Sequence, residues 1–340
     1  MVKAVVVDDS GLMRILISDI LRSDGRIKVV GTASNGLDGL NKVLDTNPDV
    51  VITDMLMPSH DGLFLVKEVM KKQPTPVILL SSLERTNEKI FDALEAGAFE
   101  FIDKPVNGAA FSSDYPLNEL VIQATKSKHN LDPKVKTRQN NNLHTFDDKL
   151  NYDIVCIGAS TGGPGALEIL LKRIPANFPL PIVIAQHMPE RFIRSFVMRL
   201  NKIAPLKISL AKKGEAPVPG NVYLAPGNSN LSLVRSRING IPVFSSSKRQ
   251  FEEFNNPSVD CLFTSAAEVY GARCIGVILT GMGKDGYDGS TMIRNKKGLV
   301  IAQDQDSSVV YGMPGMVVNN RIAKYTVGIS EMASFLTGCL

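Results

Sequence analysis

Short runs of β-branched and other apolar residues, each ending in a polar or glycine-rich turn, recur along this chain. In residues 1–125 they are Ala4–Val7, Val29–Gly31, Val50–Thr53, Val77–Leu80 and Phe99–Ile102. Runs this short, without polar alternation, read as strands buried on both faces, the condition of a parallel sheet. Helix patterns lie between them, among them Leu12, Ile15, Leu16 and Ile20, and then Ile90, Phe91 and Leu94. The expectation is an α/β fold with a doubly wound (βα)5 sheet over residues 1–125, its functional groups beyond the carboxyl ends of the strands.

Those strand ends carry chemistry. The first gives Asp8 and Asp9, the third Asp54, the fourth Ser81 and Ser82, and the fifth leads to Lys104-Pro105. Carboxylates converging on one edge repel one another unless a cation sits among them, and hard oxygen ligands with open positions suit Mg²⁺. A lysine and a hydroxyl beside them suit the oxygens of a phosphoryl group. One acid at a strand end is explained as a cap on the next helix; the whole set within 104 residues is not. With Asp54-Met55-x-Met57-Pro58 and Asp61-Gly62, residues 1–125 resemble the receiver domain of bacterial response regulators. The resemblance implies that Asp54 accepts a phosphoryl group from a histidine kinase (CheA) and that Asp8, Asp9 and Asp54 form the Mg²⁺ site. It also implies that Ser81, with Ser82 as a nearby alternative, and Lys104 contact the phosphoryl oxygens. Phe101 stands where that family has its switch aromatic, and ordinary core is the competing account.

At 340 residues the chain is long enough for two domains, and 44% hydrophobic content with mixed charge is that of a soluble globular protein. Residues 126–150, rich in lysine and asparagine with little to bury, read as a connector. A net charge of +4 with scattered lysines does not point to nucleic acid. No apolar run approaches the ~18 residues of a membrane span, and the N-terminus reaches Asp8 and Asp9 too soon for a signal peptide. Cys156, Cys261, Cys274 and Cys339 lie far apart without a Cys-x-x-Cys pair, the pattern of reduced core thiols in a cytoplasmic protein.

In residues 151–340 the apolar run Ile154 to Ile157 breaks into Gly158-Ala159-Ser160-Thr161-Gly162-Gly163 and then into a helix pattern with Leu167, Leu170 and Leu171 on one face. This places the Ser160 hydroxyl at a strand end beside the free N–H groups of a helix. Gly158-x-Ser160-x-Gly162 fits the short nucleophile-elbow pattern. A dinucleotide loop is the alternative. Against it, Ser160 takes the middle glycine position, and the run Ile182 to Ala185 ends in Gln186-His187 where a ribose-binding acid belongs. An amphipathic helix follows, with Phe192, Ile193, Phe196, Val197, Leu200 and Ile203 inward. The run Cys274 to Thr280 opens into Gly281-Met282-Gly283-Lys284-Asp285-Gly286. Ser160, His187 and Asp285 thus all follow apolar strands, and they are the types a hydroxyl nucleophile needs: a base, and a carboxylate to fix its tautomer. The glycines allow the close backbone approach that N–H donors to an oxyanion require. Asp285 also suits a helix N-cap, a role compatible with the first.

The order Ser, His, Asp departs from that of α/β-hydrolases. Further motifs are Gln186-His187-Met188-Pro189, Leu224-Ala225-Pro226-Gly227, Pro257-Ser258-Val259-Asp260, Ala302-Gln303-Asp304-x-x-Ser307-Ser308 and Tyr311-Gly312-Met313-Pro314. On these, residues 151–340 resemble the catalytic domain of the chemotaxis protein-glutamate methylesterases, the CheB family, an α/β parallel-sheet serine esterase. The resemblance implies hydrolysis of glutamate methyl esters on methyl-accepting chemotaxis receptors, with release of methanol, and deamidation of receptor glutamines. Ser160 would attack, His187 act as base and then acid, and Asp285 orient His187. The Met282 N–H is the candidate oxyanion donor, with Thr161 close to the site. The family also implies an unphosphorylated receiver covering the esterase cleft, and no cofactor for ester hydrolysis. The competing account is a regulator whose output half only binds a partner, with Ser160 in an inert turn. A DNA-binding output lacks a basic recognition helix.

Overall fold

The computed structural model describes residues 1–81, 87–105, 115–126, 151–247 and 257–340. The chain divides into two compact units, Met1–Arg138 and Gln139–Leu340.

In the first unit strands and helices alternate: β1 (Val2–Val7), α1 (Gly11–Arg22), β2 (Ile27–Ala33), α2 (Gly36–Thr46) and β3 (Val50–Asp54). They continue with α3 (Gly62–Lys72), β4 (Val77–Ser81), α4 (Asn87–Glu95), β5 (Glu100–Asp103) and α5 (Leu117–Lys126). The strands pair in parallel in the order β2-β1-β3-β4-β5. That order reverses at β1, so β1 and β3 are neighbours whose carboxyl ends flank a crevice. β3 and β4 are buried throughout, which is why both read as unbroken apolar runs. In α1 the sheet takes Ile17, Ser18, Ile20 and Leu21, while Leu12 and Ile15 are 75% and 62% exposed. Apolar residues run nearly all round α1, so the period alone fitted two faces and packing chose one. Phe101 is buried edge-on to Phe91, a core position. Lys126, assigned to the connector by composition, closes α5; residues 127–150 and Ser82 lie outside the described residues.

The second unit holds β6 (Ile154–Ala159), α6 (Gly163–Arg173), β7 (Ile182–Gln186), α7 (Glu190–Ile203), β8 (Lys207–Leu210) and β9 (Asn221–Leu224). An antiparallel pair, β10 (Asn230–Arg235) and β11 (Pro242–Ser247), precedes α8 (Val259–Tyr270). Then come β12 (Cys274–Ile278), α9 (Tyr287–Asn295), β13 (Leu299–Gln303), α10 (Met313–Asn319), β14 (Tyr325–Val327) and α11 (Ile329–Gly338). The parallel sheet runs β14-β13-β12-β6-β7-β9-β8. From β6 the chain winds outward through β7, and from β12 it winds the other way. The β6/β12 boundary is therefore the switch point, where α/β sheets open a crevice. Leu262, Phe263 and Ala266 of α8 pack with Ile154, Cys156, Cys274 and Ile278 of these two strands. On α7, Phe192, Ile193, Phe196 and Leu200 are buried, and Val197 and Ile203 are half-buried. None of the four cysteines is in a disulfide and all are buried, and burial pushes the Cys156 thiol well above its ordinary value.

Candidate active site

Ser160, His187 and Asp285 lie beyond the carboxyl ends of β6, β7 and β12, which are adjacent in the sheet with β6 in the middle. The structure brings them into one hydrogen-bonded line. The Ser160 hydroxyl is 3.0 Å from His187 Nδ1, and His187 Nε2 is 2.7 Å from Asp285 Oδ2. An ionised carboxylate can only accept, so Nε2 carries the hydrogen and Nδ1 is left as the acceptor for the serine O–H. Ser160 and His187 are partly exposed, whereas Asp285 is 2% exposed. The serine hydroxyl and imidazole are thus open to an incoming molecule while the carboxylate stays dry.

Asp285 does cap a helix, and it is α8, distant in the chain. Its Oδ2 accepts the Val259 N–H at 2.7 Å, and its Oδ1 accepts the Asp260 N–H at 2.9 Å and the Ser258 hydroxyl at 3.0 Å. These N–H groups open α8, where the helix dipole favours negative charge. Burial works to raise the Asp285 carboxyl, but the His187 hydrogen bond and the α8 N–H donors outweigh it and hold the carboxyl below the usual range. Asp260 shows the opposite balance: burial and the neighbouring Asp285 charge push its carboxyl up to about 7, although it accepts the Gly289 N–H at 2.6 Å.

The Ser160 N–H donates to the Thr280 carbonyl at 3.0 Å. A side chain at Gly281 would sit 2.8 Å from Ser160 Cβ, so glycine is what lets the segment carrying Met282 pass against the serine. That passage is pinned by a bridge to Tyr311 and by the Gly312 and Met313 N–H groups on the Gly281 carbonyl. Among the described residues, neither the Thr161 nor the Met282 N–H has an acceptor.

In the first unit, Asp8, Asp9 and Asp54 each offer a carboxylate oxygen, all within 4.8 Å of one another. Lys104 Nζ lies 2.8 Å from both Asp8 Oδ2 and Asp54 Oδ2. Ser81 ends β4, the neighbour of β3, and is buried. Burial raises the Asp54 carboxyl despite Lys104. Burial also opposes the Lys104 charge, but the two carboxylates outweigh it and raise the ammonium. An all-oxygen acidic set of this span suits a hard divalent cation.

Residues 155–336 match the family model described as CheB methylesterase, and residues 4–113 match the response regulator receiver domain. A curated relative from Methanosarcina acetivorans, named protein-glutamate methylesterase/protein-glutamine glutaminase 2, is 40% identical over 98% of this chain and 97% of its own length. The chain belongs to the CheB methylesterase family. A Thermotoga maritima relative named protein-glutamate methylesterase/protein-glutamine glutaminase is 39% identical over 96% of this chain and 95% of its own. The crystal structure of the Thermotoga maritima CheB methylesterase catalytic domain superposes with a TM-score of 0.54 at 39% identity, covering 56% of this chain and all of that one. A receiver followed by a CheB-type parallel-sheet domain is thus the architecture of this family member, as its motifs led one to expect.

Within this CheB-family site, sequence reasoning assigned no role to Ser258, Asp260, Thr280 or Gln186. Ser258 carried a usable signal, since its hydroxyl caps α8 by accepting the Cys261 N–H at 3.2 Å. Thr280 is fully buried, with its hydroxyl between the Thr161 carbonyl at 2.9 Å and the Val310 N–H at 2.9 Å. Nothing local in the sequence announces that position. No described helix is long and apolar enough to cross a membrane.

Proposed function

We propose that this chain is a phosphorylation-regulated serine hydrolase that cleaves glutamate γ-methyl esters on chemoreceptors and converts particular receptor glutamines to glutamate. The observation that carries the reading is the line Ser160–His187–Asp285, with contacts of 3.0 and 2.7 Å at the switch point of the sheet. The names of the two near-full-length relatives support the substrate class.

Ser160 Oγ attacks the ester carbonyl carbon as its proton passes to His187 Nδ1. Asp285 holds Nε2–H and stabilises the imidazolium that forms. The new oxyanion is met by the Met282 N–H, with Thr161 beside it. Collapse expels methoxide, which takes the Nδ1 proton and leaves as methanol. Water, deprotonated by His187, then attacks the acyl-serine, and its cleavage yields glutamate and restores Ser160. With a glutamine substrate, ammonia leaves in place of methanol.

In the receiver, Asp54 is the phosphoacceptor, supplied by a histidine kinase. Asp8, Asp9 and Asp54 would hold Mg²⁺, which when bound supplies charge neutralisation for the incoming phosphoryl group. Ser81 ends β4, the strand beside Asp54, and Lys104, past the end of β5, has its Nζ 2.8 Å from Asp54 Oδ2; both would contact the phosphoryl oxygens. Phosphorylation adds charge of about −1.5 to −2, by analogy with phosphorylated hydroxyls. That charge can bias a two-state regulator if the two states meet it differently. The setting is the cytoplasm, where receptor methylation sites and kinase are both accessible.

The test is methanol release from methylated receptor membranes, with and without acetyl phosphate and Mg²⁺. Release that rises with the phosphodonor supports hydrolase and switch together. Release that ignores it removes the switch, and none in either condition returns the output half to a binding role.

A further inference from the structure

We propose that Gln186 is a positioning residue that aims the Thr161 N–H at the oxyanion by clamping the Ser160 carbonyl. The inference rests on the reading of Ser160 as nucleophile. β6 and β7 are neighbours with Ala159 opposite Gln186, which sets the Gln186 side chain beneath both strand ends. Gln186 is 2% exposed. Its Nε2 amide donates to the Ser160 carbonyl at 3.0 Å and to the His187 carbonyl at 3.0 Å, so both hydrogens are used. One side chain thus ties the residue carrying the nucleophile to the residue carrying the base.

The Ser160 carbonyl also takes the Gly163 N–H at 2.7 Å. A trans peptide is planar, and its C=O and following N–H point in opposite directions. Two donors on the Ser160 carbonyl therefore fix where the Thr161 N–H points. The next peptide is held too, because the Thr280 hydroxyl donates to the Thr161 carbonyl at 2.9 Å. The Thr161 N–H, in a residue 7% exposed, meets no acceptor among the described residues. A donor held rigid and unpaired is what a developing oxyanion requires.

Gln186 Oε1 is itself buried without a partner among the described residues. The two N–H bonds to the Ser160 and His187 carbonyls offset that cost. Its NH₂ is the half in use. Gly163 makes the space: a side chain there would lie 2.1 Å from Gln186 Oε1.

The experiment is Gln186→Met, which keeps the length and loses the donor, in the full chain. Methanol release from methylated receptor membranes gives kcat and KM, and methylboronic acid probes the tetrahedral state. Its boron accepts the Ser160 Oγ electron pair, nothing leaves, and the serine proton passes to His187. The expected result is a kcat lower by about 10–10²-fold with KM within about threefold, the signature of an interaction made in the transition state. Boronate affinity falls in parallel, and the pH midpoint of kcat/KM stays in place because His187 and Asp285 keep their contacts. An unchanged kcat, an unchanged boronate affinity or a moved midpoint overturns the assignment. Should Gln186→Met not fold, Gly163→Ala displaces the same carboxamide and must give the same pattern; wild-type kcat in that variant overturns it too. Ser160→Ala separates the two levels. If Ser160→Ala is inactive and Gln186→Met is unimpaired, the inference alone fails; if Ser160→Ala is active, the nucleophile reading fails with it.

Discussion

His187 meets Ser160 through Nδ1, at 3.0 Å, and keeps Nε2 for Asp285. The serine-protease triad uses the opposite nitrogens, with Nε2 on the serine and Nδ1 on the acid. The chemistry is preserved because either nitrogen can be the base once the other is pinned. What changes is the direction of approach: here the carboxylate comes from beyond β12, under the imidazole tip, anchored on α8. Replacing Ser160 with alanine is expected to cut methanol release by at least about 10³-fold. Because Ser160 is partly exposed, the thermal midpoint should barely move.

Asp285→Asn separates orientation from packing. An asparagine amide facing Nε2 would donate, driving the hydrogen to Nδ1, the nitrogen that must accept from Ser160. We expect kcat to fall about 10³–10⁴-fold, with ¹⁵N chemical shifts of His187 reporting the exchanged tautomer. The stability effect has a sign. The Asp285 carboxyl is held below its ordinary value in the fold, so its contribution is present above the unfolded value and lost as pH falls through the folded one. The stability gap between wild type and Asp285→Asn should therefore be wide near neutrality and close in acid.

Asp260 should behave in the opposite sense. Its carboxyl is raised to about 7, so between the ordinary carboxylate value and 7 the folded state binds the extra proton. Stability then falls as pH rises through that window. Asp260→Asn, which keeps an acceptor for the Gly289 N–H, should raise the thermal midpoint at pH 8 by clearly more than it does at pH 5, the gap widening across the window. A midpoint shift of equal size at both pH values would refute a titrating Asp260.

Asp54→Asn tests the regulatory half. The variant should keep basal methanol release within about twofold, since nothing in the esterase reaction touches Asp54, and should gain nothing from acetyl phosphate. Continued stimulation of that variant would remove Asp54 as the acceptor.

The thiols offer a simple structural check. With Cys156, Cys261, Cys274 and Cys339 all outside disulfides and buried, a disulfide-exchange reagent should find no fast-reacting thiol in the native protein and four in denaturant. Prompt reaction under native conditions would contradict the packing around β6 and β12.

By itself the sequence determined the strands and the chemistry at their ends. Parallel strands buried on both faces must be continuous apolar runs, so β3, β4, β6, β7 and β12 announced themselves, and with them Asp54, Ser81, Ser160, His187 and the run to Asp285. Each run proved at most a few residues off at its ends, where buried but polar residues such as Asp54, Ser81 and Gln186 continue the strand past the apolar pattern. What only the tertiary structure decided is everything that depends on two distant segments meeting. The face that α1 buries was open, since Leu12 and Ile15 fit the helical period as well as Ile17 and Leu21 did. Asp285 read as a possible cap for the helix after it, yet it caps α8, whose N-terminus packing brings to it from 26 residues earlier in the chain. Which imidazole nitrogen faces the serine depends on where Ser160 and Asp285 sit around the ring, and not on local pattern. Gln186 and Thr280 look like ordinary strand-end residues until the neighbouring strand supplies the carbonyls they hold. Periodicity records which residues are buried, but a hydrogen bond across the sheet records where two chains cross, and that information is absent from either segment alone.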